Sequence, residues 1–478
     1  VGYEINSKES DGLGTTISNF ARWDKPEVNN GVVYQSMGGS NSTTRIVSYI
    51  TRANYDYDNK YYLGASWRTD GSSRLARENR WGNFWSLSGA WRVSSESFMK
   101  PLQNWLSDLK LRVSYGVNGT LPSSYYGYMG LSSLTSNYND NPGITQSQLE
   151  NKELTWETNY NFNSGIDLGF FDNRLNVTFE YYVRTTKNLL YSRPLSLATG
   201  FSSYLANIGK LQNKGYELEI RSTNIETKDF RWSTSLNLGH NANKILKLDG
   251  DLKQVTSGTS IHKVGLPYST YYMIEFAGID PVDGEPMFYK NTTDENGNLN
   301  KETTKDPRSA EKVILQCADP TITGGLGNSI SYKWFDLNFN VNFSFGAWNY
   351  DGAAGKLEHG GDGTLNIPIY YRKRWQKEGD ETSIERFVVG RSISMTDYAT
   401  TRRLYSGDYV RLKNLTFGFT LPKTWTRKVG IDNIRLYASG NNLLTWAAYD
   451  YIDPESGSSP SWDTPPMRTY TFGLEVKF

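Results

Sequence analysis

The chain closes on the segment Arg468-Thr-Tyr-Thr-Phe-Gly-Leu-Glu-Val-Lys-Phe478, in which Tyr470, Phe472, Leu474, Val476 and Phe478 alternate with Thr469, Thr471, Gly473, Glu475 and Lys477. Successive side chains of a strand point to opposite faces, so the segment carries one oily face and one wet face. That is the pattern of a closing strand in an outer-membrane barrel. It recurs upstream. Leu175, Val177, Phe179, Tyr181 and Val183 oppose Asn176, Thr178, Glu180, Tyr182 and Arg184, and Phe162, Ile166 and Leu168 oppose Asn161, Asn163 and Asp167 across a short Asp172-Asn173 turn. After Trp334-Phe335-Asp336, Leu337, Phe339, Val341, Phe343 and Phe345 alternate with Asn338, Asn340, Asn342 and Ser344.

The same criterion places further strands near 42–57, 60–71, 82–94, 108–118, 211–224, 230–244, 408–420 and 433–446, with a first strand at the N-terminus, about fourteen in all. Short connections near Asp58, Leu102, Asp172, Glu226, Phe335 and Trp425 alternate with long ones at 72–81, 119–152, 188–210, 245–322, 349–407 and 447–465. With the C-terminus periplasmic, every long connection falls outside the cell, as barrels of the outer membrane arrange them. The expected class is all-β, a transmembrane antiparallel β-barrel.

Composition changes meaning in this light. A mean hydropathy of -0.59 suggests a soluble protein, and no stretch approaches the roughly 20 apolar residues of a spanning helix. A barrel wall needs apolar residues only at alternate positions, because each backbone polar group is paired with a neighbouring strand. The 33 Tyr, 20 Phe and 14 Trp suit rings gathered at membrane interfaces. Lys and Arg number 51 against 50 Asp and Glu, which leaves no cationic field for nucleic acid. One cysteine, Cys317, and three dispersed histidines, His240, His262 and His359, offer neither a disulfide nor a metal motif. The sequence starts at Val1-Gly-Tyr-Glu4 with no charged and apolar leader, so a leader has been removed or the chain starts partway through a longer protein.

Several segments together resemble the C-terminal barrel region of the SusC/RagA-type TonB-dependent transporters of the Bacteroidetes. They include residues 52–74, Asn79-Arg-Trp-Gly-Asn-Phe-Trp-Ser-Leu-Ser-Gly-Ala-Trp-Arg92, Leu109-Lys-Leu-Arg-Val-Ser-Tyr-Gly-Val-Asn-Gly119, residues 199–219, Gly278-Ile-Asp-Pro281, Asp408-Tyr-Val-Arg-Leu-Lys-Asn414 and Ser439-Gly-Asn-Asn-Leu-Leu-Thr445. The resemblance runs in order over most of the chain. It implies a twenty-two-stranded barrel in the outer membrane with a plug inside it and a SusD-like surface lipoprotein as lid. It further implies import of oligosaccharides or oligopeptides driven by the TonB–ExbB–ExbD system. The TonB-contacting segment, the plug and about eight strands have no counterpart here, so the chain taken alone is expected to be unable to couple to TonB. Trp85 stands where relatives usually carry proline, which leaves the start of that strand open.

Chemistry-bearing motifs are few. Asp280-Pro-Val-Asp-Gly-Glu285 gathers three carboxylates, and its Asp, Gly and Pro content reads as a turn ahead of a calcium or catalytic site. The segment from Thr292 has Thr at both the first and twelfth positions of an EF-hand frame, so a calcium loop fails there. Gly324-Gly-Leu-Gly327 lacks the last glycine of a dinucleotide fingerprint and reads as strand glycine. No nucleophile signature is present, so the expectation is a non-enzyme with no catalytic residue, metal or cofactor.

The inward rows, Glu180, Arg184, Glu217, Glu219, Asn338, Asn340 and Asn342, are expected to face the lumen as solvated wall or plug contact rather than as direct substrate contact. Candidate substrate-binding rings lie in the outer loops: Tyr125, Tyr126, Tyr128, Trp348, Tyr350, Tyr370, Tyr371 and Trp462, each a flat apolar face with a polar handle for sugars or peptide side chains. The lid is expected on the longest loops, 245–322 and 349–407. The commitment is an outer-membrane importer subunit touching lipid, a SusD-like lipoprotein, the TonB system through a plug, and a glycan or peptide, with no nucleic acid. Two rivals remain: a self-contained fourteen-stranded diffusion channel, and a soluble β-rich carbohydrate-binding protein.

Overall fold

The computed structural model describes every residue except 140, 249–251, 295–296, 362–365, 391–397, 450, 457–463 and 465. Its main sheet has fourteen strands, hydrogen-bonded in chain order. They are β1 (Gly2–Phe20), β2 (Gly31–Tyr57), β3 (Tyr61–Ser72), β4 (Trp81–Arg92), β5 (Leu106–Thr120), β6 (Glu157–Phe170), β7 (Leu175–Lys187), β8 (Lys210–Glu226), β9 (Phe230–Lys247), β10 (Ile322–Tyr332), β11 (Phe335–Phe345), β12 (Tyr409–Thr420), β13 (Asn433–Ala447) and β14 (Thr469–Lys477). The chain divides into two compact units. The first comprises Val1–Trp91, Arg112–Asn163 and Arg184–Leu211; the second comprises Arg92–Leu111, Ser164–Val183 and Gln212–Phe478.

In the first unit the outward face is written in rows across β2, β3 and β4. Register sets Thr51 opposite Trp67 and Trp67 opposite Trp85, then Ala53, Ala65 and Leu87, then Tyr55, Leu63 and Gly89, then Tyr57, Tyr61 and Trp91. Leu63, Leu87 and Trp85 are exposed. A contiguous apolar surface of this extent is untenable in water and is what a lipid-facing wall requires. The rings of Tyr57 and Tyr61 lie 6.5 Å apart and those of Tyr61 and Trp91 6.4 Å apart, while Tyr49 stacks on Trp81 at 6.2 Å. Tyr49 and Tyr57 are eight residues apart on one strand, roughly 26 Å, close to the roughly 25 Å apolar band that aromatic girdles flank in such barrels. The β2–β3 turn uses Asp58 and Asn59, both at positive φ, the two left-handed residues a tight primed turn demands.

Trp85 lies mid-strand on β4, so β4 runs without interruption through the position left open above. One expectation needs correction: the second strand starts at Gly31, not near 42. Pairing with β3 begins only at Ile46, so residues 31–45 pair with β1 alone as a two-stranded ribbon. Ser, Thr and Gly mix there with the exposed Val32, Val33, Tyr34 and Met37, and the consecutive Val32, Val33 and Tyr34 leave no alternation to find. A small core of Leu75, Phe84, Val117, Leu154 and Trp156 packs against Leu121, Tyr128 and Leu205.

In the second unit, the β10–β11 turn places Lys333 at positive φ. Register then pairs Phe335, Leu337, Phe339, Val341 and Phe343 with Tyr332, Ile330, Asn328, Leu326 and Gly324 on one face, and Asn338, Asn340 and Asn342 with Ser329, Gly327 and Gly325 on the other. The closing strand β14 exposes Phe472 (83%) and Leu474 (64%) on its apolar face. Residues 93–105 fold into two short 3-10 turns, where Val93, Met99 and Leu106 pack beneath Leu168 and Phe170. No described helix is long and apolar enough to cross a membrane.

Candidate functional site

The wet face of the second unit holds the first part of the site. A depression of about 1070 Å³ is lined by Glu180, Glu217, Glu219, Asn237, Asn340 and Asn342, among others. Register sets Gly325 between Asn237 and Asn342, and Gly327 between Ser235 and Asn340. A Cβ on Gly325 would come within 2.7 Å of Asn237 Oδ1; on Gly327 it would meet Ser235 Oγ at 2.6 Å and Asn340 Oδ1 at 2.8 Å. These glycines therefore leave room for two rows of amides beside a bare strip of backbone. The carboxylates stand at the other side, with Arg221 Nε 2.5 Å from Glu219 Oε1. Asn338 lines a smaller recess of about 330 Å³ and donates to Asp336 at 3.3 Å. Arg184 belongs to the first unit, at an exposed position of β7. Of the seven inward residues singled out, five thus line one depression.

The outer-loop rings divide by what already holds them. In the first unit the Arg74 guanidinium covers Tyr125 at 4.3 Å, the Tyr126 hydroxyl accepts the Thr43 N–H at 2.9 Å, and Tyr128 packs on the Leu75–Trp156 core. In the second unit, Trp348 and Tyr350 sit on a three-residue strand paired with Leu404–Ser406. Tyr371 is only 3% exposed and its hydroxyl donates to the buried Glu385 at 2.5 Å. Tyr370 donates to Glu358 at 2.6 Å. Arg402 pairs with Glu385 and lies 3.7 Å from Glu358, and Arg403 reaches Glu358 at 3.4 Å. Buried charges survive only when paired and hydrogen-bonded in this way. Burial pushes the Tyr370 and Tyr371 hydroxyls well above the usual phenol range, and the neighbouring Glu358 and Glu385 carboxylates add to it. Trp462 lies outside the described residues.

Sequence reasoning missed the rings that make the open surface. Tyr405 stacks on Tyr449 with centroids 3.6 Å apart and planes at 19°; Tyr449 contacts Tyr451 at 5.3 Å, and Tyr451 contacts Tyr370 at 5.2 Å. Tyr449 donates to Asp351 Oδ2 at 3.2 Å. Burial, then Asp351, raises the Tyr405 and Tyr449 hydroxyls above the usual range. Within this ladder Tyr451 is the open ring, with 69% of its surface exposed. The only sequence signal was the spacing of Tyr449 and Tyr451, too brief to separate from loop.

The segment carrying Tyr449 and Tyr451 is anchored just beyond them. Arg411, 2% exposed, holds Asp453 at 2.6 Å and Glu455 at 2.7 Å and donates from Nε to Thr445 at 3.0 Å. Lys413 adds a second cation to Glu455 at 2.6 Å. The strand motif Asp408–Asn414 thus anchors Asp453 and Glu455, just beyond the exposed ring of the tyrosine ladder.

Other sequence candidates are accounted for locally. Lys305 Nζ bridges Asp280 and Asp283 at 2.6 and 2.7 Å, and Arg386 pairs with Glu285 at 2.6 Å. Cations of the chain itself occupy the acidic turn. The Lys305 hydrogen bonds hold Asp280 and Asp283 below the usual carboxylate range. Asp294 accepts the Asn298 N–H at 2.7 Å. His262 is buried and stacks on Tyr268 at 4.1 Å. Burial raises the thiol of the half-buried Cys317.

Comparison with known proteins agrees with this architecture. A family model described as TonB dependent receptor-like, beta-barrel, matches residues 3–443. The TonB-dependent receptor P3 of Formosa agariphila is 33% identical over 100% of this chain and 50% of its own length. The TonB-dependent receptor SusC of Bacteroides thetaiotaomicron is 30% identical over 91% of this chain and 44% of its own length. Among solved structures, that of the RagAB peptide transporter superposes with a TM-score of 0.84 at 29% identity, covering 100% of this chain and 52% of that one. The chain spans about half the length of the curated relatives it matches. An outward face of exposed apolar rows, an inward face of amides and carboxylates, and these matches place the strands in the outer membrane and exclude the soluble reading: the chain belongs to the TonB-dependent receptor family, as a β-barrel of its SusC-like branch.

Proposed function

We propose that this chain forms wall and outer binding surface of a nutrient importer of the SusC type, carrying oligosaccharides or oligopeptides across the outer membrane by transport rather than by chemical conversion. In this reading a SusD-like surface lipoprotein closes over the long outer loops, and the TonB–ExbB–ExbD system acts through a plug. The observation that carries it is a pair of polar surfaces in the second unit. One is the amide and carboxylate depression along β7–β11; the other is the ladder from Tyr405 to Tyr451, pinned to β12 by Arg411. Stacked rings hold a ring-bearing or planar group at low entropic cost, and a lumen lined with amides and paired charges suits polar cargo without selecting one sign of charge. Tyr370 and Tyr451 are the rings placed to touch substrate. Tyr371, buried against Glu385, supports the loop that carries Tyr370, while Tyr125, Tyr126 and Tyr128 are held by partners within the first unit.

The test is equilibrium dialysis of the full-length protein against two probe mixtures, a starch-derived oligosaccharide ladder and a tryptic peptide digest. One mixture should be depleted by the native protein, and depletion should fall about tenfold in Tyr451→Ala, as loss of a stacking contact worth about 1 to 1.5 kcal/mol implies. Depletion of neither mixture, or equal depletion by Tyr451→Ala, would overturn the reading.

A further inference from the structure

We propose that the outward face of β2–β5 in the first unit holds one acyl chain of an inner-leaflet phospholipid in a shaped cleft. Within the rows described above, side chains shrink at one place. Ala53 and Ala65 lie opposite one another, and one row further Gly89 lies opposite Leu63. A cleft of about 600 Å³ opens there, floored by Ala53, Ala65 and Gly89 and walled by Tyr55, Leu63, Leu87, Val113 and Tyr115, with a lining that is almost wholly apolar. Aromatic rows bound it at both ends. Tyr57, Tyr61 and Trp91 stand on one side; Trp67 stands opposite Trp85 on the other, and Trp85 touches Tyr115 at 5.8 Å.

Depth identifies the occupant. The cleft lies one to two rows from the Tyr57–Tyr61–Trp91 row beside the short Asp58-Asn59 turn, and short turns of outer-membrane barrels are periplasmic. It therefore runs from the middle of the apolar band into its periplasmic half, where phospholipid tails and no water are present. Lipid tails are as apolar as leucine, so hydrophobicity alone gives no preference for the cleft over the rest of the wall. Shape does. A tail seated in a recess gains contacts on three sides that a tail against a flat wall lacks. Exposed Leu63, Leu87, Val113 and Tyr115 supply those sides.

The experiment is native mass spectrometry of the full-length protein, reconstituted in vesicles of palmitoyl-oleoyl phosphatidylethanolamine and then moved into mild detergent. The native protein is expected to keep one phospholipid. Ala65→Leu and Gly89→Leu fill the recess. A Cβ at Gly89 meets only Leu63 Cδ2, at 3.8 Å, and the Tyr62 carbonyl, at 4.0 Å, so the larger side chain enters without moving the strand. Both should retain at least tenfold less lipid while keeping the heat-dependent gel mobility of a folded barrel. Val476→Leu on β14, apolar bulk added outside the cleft, should retain lipid as the native protein does. Equal retention in the filled variants overturns the proposal. So does a dimer of this chain that the filled variants abolish, or a retained lipopolysaccharide in place of phospholipid.

Discussion

The division of β11 into a lipid face and a wet face can be tested by charge at graded depth. From Phe335 to Phe345 there are ten steps, about 33 Å along the strand; a tilt of about 40° reduces this to about 25 Å across the membrane, the height of the apolar band. Phe339 and Val341 then lie within about 3 Å of the midplane, and Phe335 and Phe345 at its two margins. An arginine at the midplane on the lipid face costs about 2–4 kcal/mol, and near an interface about 0–1. Val341→Arg should therefore destabilise by about 2–4 kcal/mol. Phe345→Arg should cost about 1 kcal/mol for charge, with about 1 more for its ring contact with Phe343 at 5.7 Å. Asn340→Arg, one residue from Val341 but lining the depression, meets water and carboxylates and should cost under about 1 kcal/mol. The assay is reversible urea unfolding of the full-length protein in phosphocholine vesicles, followed by tryptophan fluorescence. If Asn340→Arg proves as costly as Val341→Arg, or Phe345→Arg more costly than either, the faces or the depth are assigned wrongly and the outward surface of β11 does not meet hydrocarbon.

Two further outcomes follow from the outer loops. Removing the Arg411 guanidinium in Arg411→Met strands Asp453 and partly strands Glu455, a loss of about 3–5 kcal/mol for a broken buried pair; it should appear as at least about hundredfold faster hydrogen exchange over 451–456, whereas Lys413→Gln at its half-exposed pair should change exchange only slightly. Asp280 and Asp283 are held below their ordinary value of 3.8 by Lys305, so their contribution is fully present above that value and is lost as pH falls through the depressed one. Exchange protection in residues 280–285, taken relative to the intrinsic amide rate at each pH, should accordingly stay flat from pH 7 to 5 and fall only below about pH 4, and Lys305→Ala should remove the step.

How much of this was legible depended on whether two solvents met across a segment. Where lipid faces one side and water the other, as at Phe339 and Asn340, the sequence must alternate, and strands were found to within a few residues. In the ribbon from Gly31 to Arg45 the consecutive Val32, Val33 and Tyr34, followed by a run of Gly, Ser, Asn and Thr from Gly38 to Thr44, break any period of two, so its length was invisible. The short loop strands, such as Trp348–Tyr350 against Leu404–Ser406, are too brief for any period to register.

Ring chemistry was legible in kind and not in place. A tyrosine in a Gly- and Ser-rich loop can stack on substrate or donate its hydroxyl inward, and the choice lies with a partner distant in the chain. Tyr371 is decided by Glu385 and Arg402, Tyr125 by Arg74, and Tyr126 by the Thr43 backbone. Tyr451 keeps an open face for the converse reason. Its segment is held by Arg411, 42 residues from Asp453, and the ring, in contact with Tyr449 and Tyr370, stays largely exposed. The candidate surface is thus a product of long-range charge pairing, and a change at Arg411 should alter binding at Tyr451 without touching it.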